Sequence, residues 1–248
     1  MADDYRDLAA HYALLFPLNE RQREFFGHLL ATGPVGSVLD VGCGTGEHLA
    51  WFSSRGVHAY GLEPDEAMFS ELRRRNWPGT VPMLVQAGVE ALPGAVGERV
   101  DLVLCLGNML PHVPDRRSAR KALLVMAGAL SPRGRLVIQT VNFDRILGAG
   151  GFSFPVIERS LPRGGRIVFH REYDLTTLPE HILFKTRLES PAGERSATWP
   201  LVPLRREQLL HDLGEAGLQD ALEFGDYDRQ PYERNSPALI LLARRAEP

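Results

Sequence analysis

The chain has 248 residues, 44% hydrophobic and 24% charged, with a net charge of −3. That much apolar material can build a sizeable core, while no apolar run approaches the roughly 18 residues a membrane span needs. The slightly acidic balance argues against a broad nucleic-acid footprint and favours a small-molecule partner.

Helices are expected first: one before the core that carries Tyr5 and Tyr12, then an amphipathic one from Glu20 to Leu30, so that residues 1–34 form a helical cover. Residues 35–41 read as a turn leading into a first strand, followed by a helix from Glu47 to Ser54, a strand from His58 to Glu63 and a helix from Asp65 to Arg75. The densest basic run, Arg73-Arg74-Arg75, falls in that helix's last turn, where cations complement the dipole, and reads as a solvated end. Met83 to Gln86 is a short third strand. Val100 to Cys105 is apolar but for Asp101, which suits a strand buried on both faces. A helix from Arg117 to Leu130, closed by Ser131-Pro132-Arg133-Gly134, leads to a fifth strand from Arg135 to Thr140. Such alternation is the pattern of parallel βαβ units.

The texture changes at the breaker Gly148-Ala149-Gly150-Gly151. Strand-like alternation then recurs at Arg166–Asp174, His181–Glu189 and Ser196–Leu204, before a helix from Leu204 to Ala216 and two strands, Leu218–Phe224 and Ala238–Arg244. The fold class expected is α/β: a Rossmann-like, seven-stranded, mostly parallel sheet flanked by helices. Residues 148–203 form an antiparallel insertion over the cleft, within a single domain spanning 1–248. The acidic N-terminus shows no basic-then-apolar leader, so a cytoplasmic site is expected. Cys43 and Cys105 read as small packed residues, too few for a disulfide framework. A homo-oligomer is compatible with the sequence, which carries no feature that decides it.

Val38-Leu39-Asp40-Val41-Gly42-Cys43-Gly44-Thr45-Gly46 runs a strand straight into a glycine loop and a helix. Glycines at a tight βα turn let a ligand approach the backbone. The spacing is one residue shorter than the dinucleotide fingerprint, which disfavours a nicotinamide oxidoreductase. It suits S-adenosylmethionine, which has no diphosphate to cradle. Glu63, closing the second strand, is placed to accept both ribose hydroxyls.

These segments resemble the class I S-adenosylmethionine-dependent methyltransferases. Val38 to Gly46, including Asp40, Gly42, Gly44 and Gly46, is similar to their first motif, and Gly61-Leu62-Glu63-Pro64-Asp65 to their second. The resemblance implies donor contacts from these residues, from Met68, and from the adenine segment at Gly88 and Val89. Gly88 stands where relatives often carry an acid or Asn, so the backbone of Val89 is the candidate contact. Leu104-Cys105-Leu106-Gly107-Asn108-Met109-Leu110-Pro111-His112 resembles the glycine and sarcosine N-methyltransferases. It implies Leu106 beside the donor, Gly107 and Asn108 facing the acceptor, and His112 at the methionine end. Tyr12 is expected as an aromatic lid. In the segment Gln139 to Leu147, Val141 replaces the Arg with which those enzymes hold the carboxylate of glycine, and a valine offers no charge-assisted fork. Asn142, beside it, is expected at the substrate.

Methyl transfer is an in-line displacement from a sulfonium, so positioning dominates; a neutral amine needs no base, whereas a hydroxyl gains from one. An N-acceptor is therefore favoured over an O-acceptor, with Asn108 and His112 as catalytic candidates. For His112 a second reading is a loop histidine at the next helix, and for Tyr5 it is core packing. The eight histidines are scattered without metal-ligand spacing, so no metal is expected. Alternation places Arg171 and Tyr173 on one strand face and His170 on the other. Facing the cleft, the first two substitute for the missing carboxylate clamp; facing water, they are a solvated sheet surface. Trp199, Tyr227 and Tyr232 are further candidates for the acceptor pocket. A cofactor-binding regulatory protein without turnover is the reading from another class.

Overall fold

The computed structural model describes residues 6–162 and 164–245. Tyr5 lies outside them. In chain order the elements are α1 (Arg6–Leu15), α2 (Glu20–Ala31), β1 (Ser37–Val41), α3 (Glu47–Ser53), β2 (His58–Leu62), α4 (Glu66–Arg74), β3 (Met83–Val85), the short α5 (Leu92–Ala95), β4 (Val100–Cys105), α6 (Arg116–Gly128), β5 (Leu130–Val141) and α7 (Phe143–Ala149). The insertion strands follow: β6 (Phe152–Ser153), β7 (Ile157–Ser160), β8 (Arg166–Asp174), β9 (Ile182–Ser190) and β10 (Gly193–Leu201). The chain closes with α8 (Arg206–Glu215), β11 (Leu218–Phe224) and β12 (Ala238–Arg245).

Seven strands form one sheet in the order β11-β12-β5-β4-β1-β2-β3. β12 runs antiparallel to both β5 and β11, and the remaining pairs are parallel. From β1 the chain goes one way to β2 and β3 and later returns on the other side with β4. Such a reversal opens a crevice at the carboxyl ends of β1 and β4. The central strands are buried on both faces, which is why Val38, Leu39, Val103 and Leu104 make near-continuous apolar runs.

Asp101 has a specific task in that apolar run. Its Oδ2 accepts from the Gly36 and Ser37 amides (2.9 and 3.1 Å) and from Ser37 Oγ, and its Oδ1 accepts from Ser131 Oγ at 2.8 Å. It thereby ties β1, β4 and β5 together at the edge away from the crevice. There the structure corrects the expected boundary: β5 begins at Leu130, because the 131–134 segment bulges within the strand (Leu130 opposite Val100, Arg135 opposite Leu102) instead of ending α6 as a loop.

The second sheet is antiparallel, ordered β10-β9-β8-β6 with β7 also on β8. β6, β7 and α7 lie outside the elements expected from the sequence. One apolar cluster joins the insertion to the main sheet through Tyr173, Ile182 and Leu201 against Leu110, Phe143 and Leu239. A smaller one packs α1 and α4 under β8, with Leu8, Leu15 and Met68 against Ile167 and Phe169.

Candidate active site

The glycine loop is hooked to the end of β2: the Gly42 and Cys43 amides donate to Leu62 O at 2.8 and 3.0 Å. Glu63 follows and turns back, its Oε2 accepting from the Gly44 amide at 2.8 Å and its Oε1 from the Asp65 amide at 2.9 Å. Burial raises this carboxyl to about 7; the two amide bonds hold the shift back, while the neighbouring Asp65 and Asp40 charges add to it. Each oxygen keeps a lone pair free, so the group is set to accept hydroxyl donors from a ligand. Gly44 (φ +56) has the Tyr12 ring 3.4 Å from where a Cβ would stand, so a larger residue would be strained in backbone and crowd the tyrosine.

Two cavities open along the crevice. One, of 360 Å³, is bounded by Gly42, Gly44, Glu63, Pro64, Met68, Gly88, Val89, Leu106, Gly107 and His112. The other, of 540 Å³, lies between the glycine loop and the insertion sheet. Tyr12, Gly42, Gly44, Leu106, Gly107 and His112 line both and mark the passage between them.

Within the first cavity, the Glu90 carboxylate occupies the space that a side chain at Gly88 would need. Glu90 lines the cavity wall beside Val89. An acid two positions on thus reaches the place where the resemblance leads one to expect an acid or Asn, which the sequence alone did not reveal.

Asn108 sits at φ +62 just past β4, a conformation rarely adopted by a residue with a side chain. β5 holds it there: the Asn108 amide donates to Gln139 O at 3.2 Å, the Val141 amide donates to Asn108 Oδ1 at 3.0 Å, and the Gly107 amide donates to Gln139 Oε1 at 2.8 Å. Asn108 Nδ2 in turn donates to the Tyr173 hydroxyl at 3.2 Å, which links the main sheet to the insertion. The two titratable neighbours of this spot are neutral near pH 7. Burial drives His112 down to about 4, and burial drives the Tyr173 phenol well above its ordinary value.

Arg171 and Tyr173 both line the larger cavity, whereas His170 faces away and meets Glu189 at 3.1 Å. Phe154, Phe184 and Trp199 complete an aromatic wall beside Tyr173; ring centroids lie 5.1 Å apart for Phe154–Tyr173 and 5.8 Å for Phe184–Trp199. On the opposite wall, Asp40 is buried in β1; His48 Nδ1 approaches its Oδ2 to 3.3 Å, yet no hydrogen bond satisfies that oxygen. A buried anion with an unmade bond fits a ligand that brings a cation or a donor. Asp40 therefore borders the larger cavity rather than the one beside Glu63.

Four expectations are corrected. Asn142 does not reach either cavity: it caps α7, donating to Arg234 O and Ser236 O (3.0 Å each) and accepting from the Arg145 amide and the Tyr232 hydroxyl. With its amide fully engaged and 2% exposed, it pins the 231–237 segment. Gly46 (φ +84) also lines no cavity; a Cβ there would lie 2.5 Å from Leu72, so close packing is what it permits. Arg75 is no solvated helix end, since it donates to Thr45 O at 2.9 Å and to Glu47 at 2.7 Å, bracing the glycine loop. Tyr227 packs on Phe25 and Tyr232 bonds Asn142, and neither lines the larger cavity. Among the described residues no group of three His, Cys, Asp or Glu is arranged to hold a metal ion. No helix there is long and apolar enough to cross a membrane.

A family model described as a methyltransferase domain matches residues 38–134, the stretch from β1 through the start of β5. The chain is 29% identical over 218 residues to a glycine/sarcosine N-methyltransferase of Parasynechococcus marenigrum, covering 85% of this chain and 72% of that protein. It is 30% identical over 170 residues to a ubiquinone biosynthesis O-methyltransferase of Hahella chejuensis, covering 66% of this chain and 68% of that protein. The structure superposes on that of a sugar N-methyltransferase from a Streptoalloteichus species with a TM-score of 0.73 at 22% identity, covering 100% of this chain and 94% of the other. With its strand order, its Glu63-bonded glycine loop and these relatives, the chain belongs to the class I S-adenosylmethionine-dependent methyltransferases.

Proposed function

We propose that this methyltransferase transfers the methyl group to the nitrogen of a small molecule that binds in the larger cavity. The observation that carries the reading is the character of the groups around Asn108. His112 is held neutral near 4 by burial and Tyr173 is a neutral phenol, so neither is matched to deprotonating a hydroxyl near neutral pH. An amine that has lost its proton to solvent needs only to be oriented.

In the smaller cavity Glu63 takes the ribose hydroxyls, Pro64, Met68 and the Val89 backbone flank the adenine, and Glu90 accepts from its amino group. Asp40 and the Gly42 and Gly44 backbone receive the methionine end, with Tyr12 closing over it. When bound, S-adenosylmethionine supplies an electrophilic methyl group on a sulfonium. Gly107 and Asn108 form the floor on which the acceptor nitrogen rests, Asn108 Oδ1 and the Tyr173 hydroxyl accepting its N–H groups so that the lone pair points down the passage. His112, uncharged, lines that passage without repelling the sulfonium. The 148–203 insertion is the acceptor-selecting part of a single working unit. Among the relatives, one acts on glycine and sarcosine and one is an O-methyltransferase; Val141, where the resemblance places a carboxylate-binding Arg, sets this chain apart from glycine.

A panel of amine and hydroxyl analogues sharing one skeleton, assayed with S-adenosylmethionine, tests the reading. Turnover of the amines is expected. Turnover of the hydroxyl partners alone overturns it.

A further inference from the structure

The insertion wall of the acceptor chamber carries an arginine that no carboxylate of a described residue meets. Arg171, on β8, is half-buried; its Nη2 donates to Pro155 O at 3.1 Å, and its Nε is buried with no hydrogen-bond partner. Its guanidinium lies 4.9 Å from the Phe154 ring, 5.5 Å from Phe16 and 5.8 Å from Phe169, so aromatic faces hold it in place. No carboxylate of a described residue pairs with it, and burial accordingly pushes the guanidinium below its ordinary value. A second arginine, Arg159 on β7, lines the same wall and is held by Leu14 O and Glu158 O. The acids of the chamber, Asp40 and Glu47, stand on the opposite, glycine-loop wall, with Glu47 already paired to Arg75.

We infer that the acceptor is an amine that also carries a carboxylate or similar anion, bound by Arg171, and that several atoms separate the two groups. This rests on the nitrogen-acceptor reading above. The separation follows from β8. Residues 171 and 173 are successive on one strand face, which spaces their side chains by roughly 7 Å. Tyr173 is bonded to Asn108 and so marks the methyl-accepting end, and Arg171 stands one pleat further on. In an α-amino acid both groups share one carbon and lie about 3 Å apart, too close to reach both residues. Phe154 bridges the interval, 5.1 Å from the Tyr173 ring and 4.9 Å from the Arg171 guanidinium, and offers an apolar surface to a spacer of roughly four to six bonds. Two changes relative to glycine-type relatives are then one adaptation: the anion contact leaves position 141 and reappears on the insertion, further from the methyl group.

The test uses the intact protein saturated with S-adenosylhomocysteine. Glycine, β-alanine and longer straight-chain acids with a terminal amine up to aminohexanoate, plus (aminomethyl)benzoate, are titrated calorimetrically, each beside its carboxamide; turnover is measured with S-adenosylmethionine. Affinity is expected to rise with spacer length, with glycine among the weakest, and each preferred acid to bind at least tenfold tighter than its amide. Arg171→Met should erase the difference between acid and amide, acting on KM more than kcat, and Arg171→Lys should restore part of it. S-adenosylhomocysteine affinity, unchanged in both variants, confirms that they are folded. Glycine binding best, an amide equal to its acid, a preference surviving Arg171→Met, or no acid of the series binding would each overturn the inference. Hydroxy acids methylated in place of amino acids, with the acid preference intact, would sink the nitrogen reading alone. Amines methylated regardless of the acid would sink the anion inference alone.

Discussion

The two cavities that meet at Gly107 are built in different ways. On the proposed reading the donor side comes from the ends of β1, β2 and β4 and uses backbone, glycines and two buried acids, Asp40 and Glu63. The acceptor side is assembled from side chains far apart in sequence; Asn108 and Tyr173, 65 positions apart, form its central bond. A shared cofactor needs the same backbone approach in every relative, whereas an acceptor is recognised by side chains that vary. Substitutions on the two sides should therefore separate donor affinity from chemistry.

The sharpest separation is expected at Glu63. On the proposed reading its carboxylate takes both ribose hydroxyls, so Glu63→Ala should weaken S-adenosylhomocysteine binding by a hundredfold or more, on the order of 3 kcal/mol for two charge-assisted bonds. pH gives a second view of the same group. Hydroxyl donors favour its ionised form, and with the free site titrating near 7 the wild-type affinity should fall as pH drops below 7, by up to about tenfold per unit. Calorimetry across pH 5.5 to 8.5, flat for Glu63→Gln, checks the assignment; an equally sloped variant would refute it.

Asn108→Ala should show the converse. With the floor of the passage gone, kcat is expected to fall about a hundredfold while S-adenosylhomocysteine affinity stays within about twofold. Tyr173→Phe removes one end of the same bond and should cost about tenfold in kcat. If either variant lost donor affinity in proportion, the division between the cavities would be wrong. A smaller change belongs to Glu90. Glu90→Gln keeps the shape but weakens the acceptor for an amino group, and S-adenosylhomocysteine affinity should drop about fivefold.

The same division explains what the sequence made legible. Strand–glycine–helix order, Glu63 and the alternation of β8 are local patterns, enough to read the sheet, the glycine loop and the shared face of Arg171 and Tyr173, though not that this face turns toward the cavity. Glu90 was missed because its side chain folds back by two residues, a path that periodicity does not encode. Asn142 was misplaced because the partners that satisfy it, at residues 232 to 236, are some ninety positions away. Gln139 escaped notice because a strand glutamine looks ordinary until its carbonyl group is seen to hold the Gly107 amide. Gly46 belongs to the motif as a string, yet its reason is Leu72, which the motif does not contain.

Asp101 provides the mildest test, because it sits at the start of β4 whereas Asn108 lies just past the strand's other end. It accepts four hydrogen bonds and none of its partners lines either cavity beside the glycine loop. Burial opposes its ionisation, but the bonds from Ser131, Gly36 and Ser37 outweigh it and hold the carboxyl below its ordinary value. Such a group adds stability above its unfolded pKa, about 4, and loses it as pH falls through the lower folded value. Asp101→Asn keeps the shape and an oxygen acceptor, so a loss of about 1 kcal/mol is expected at neutral pH, a drop of roughly 2–4 °C in Tm. That gap should close in acid, and donor affinity and kcat should stay at wild-type levels throughout. A kinetic defect in a fully folded Asp101→Asn protein would mean that the far edge of β4 communicates with its catalytic end, and that the separation of building from binding along this strand is false.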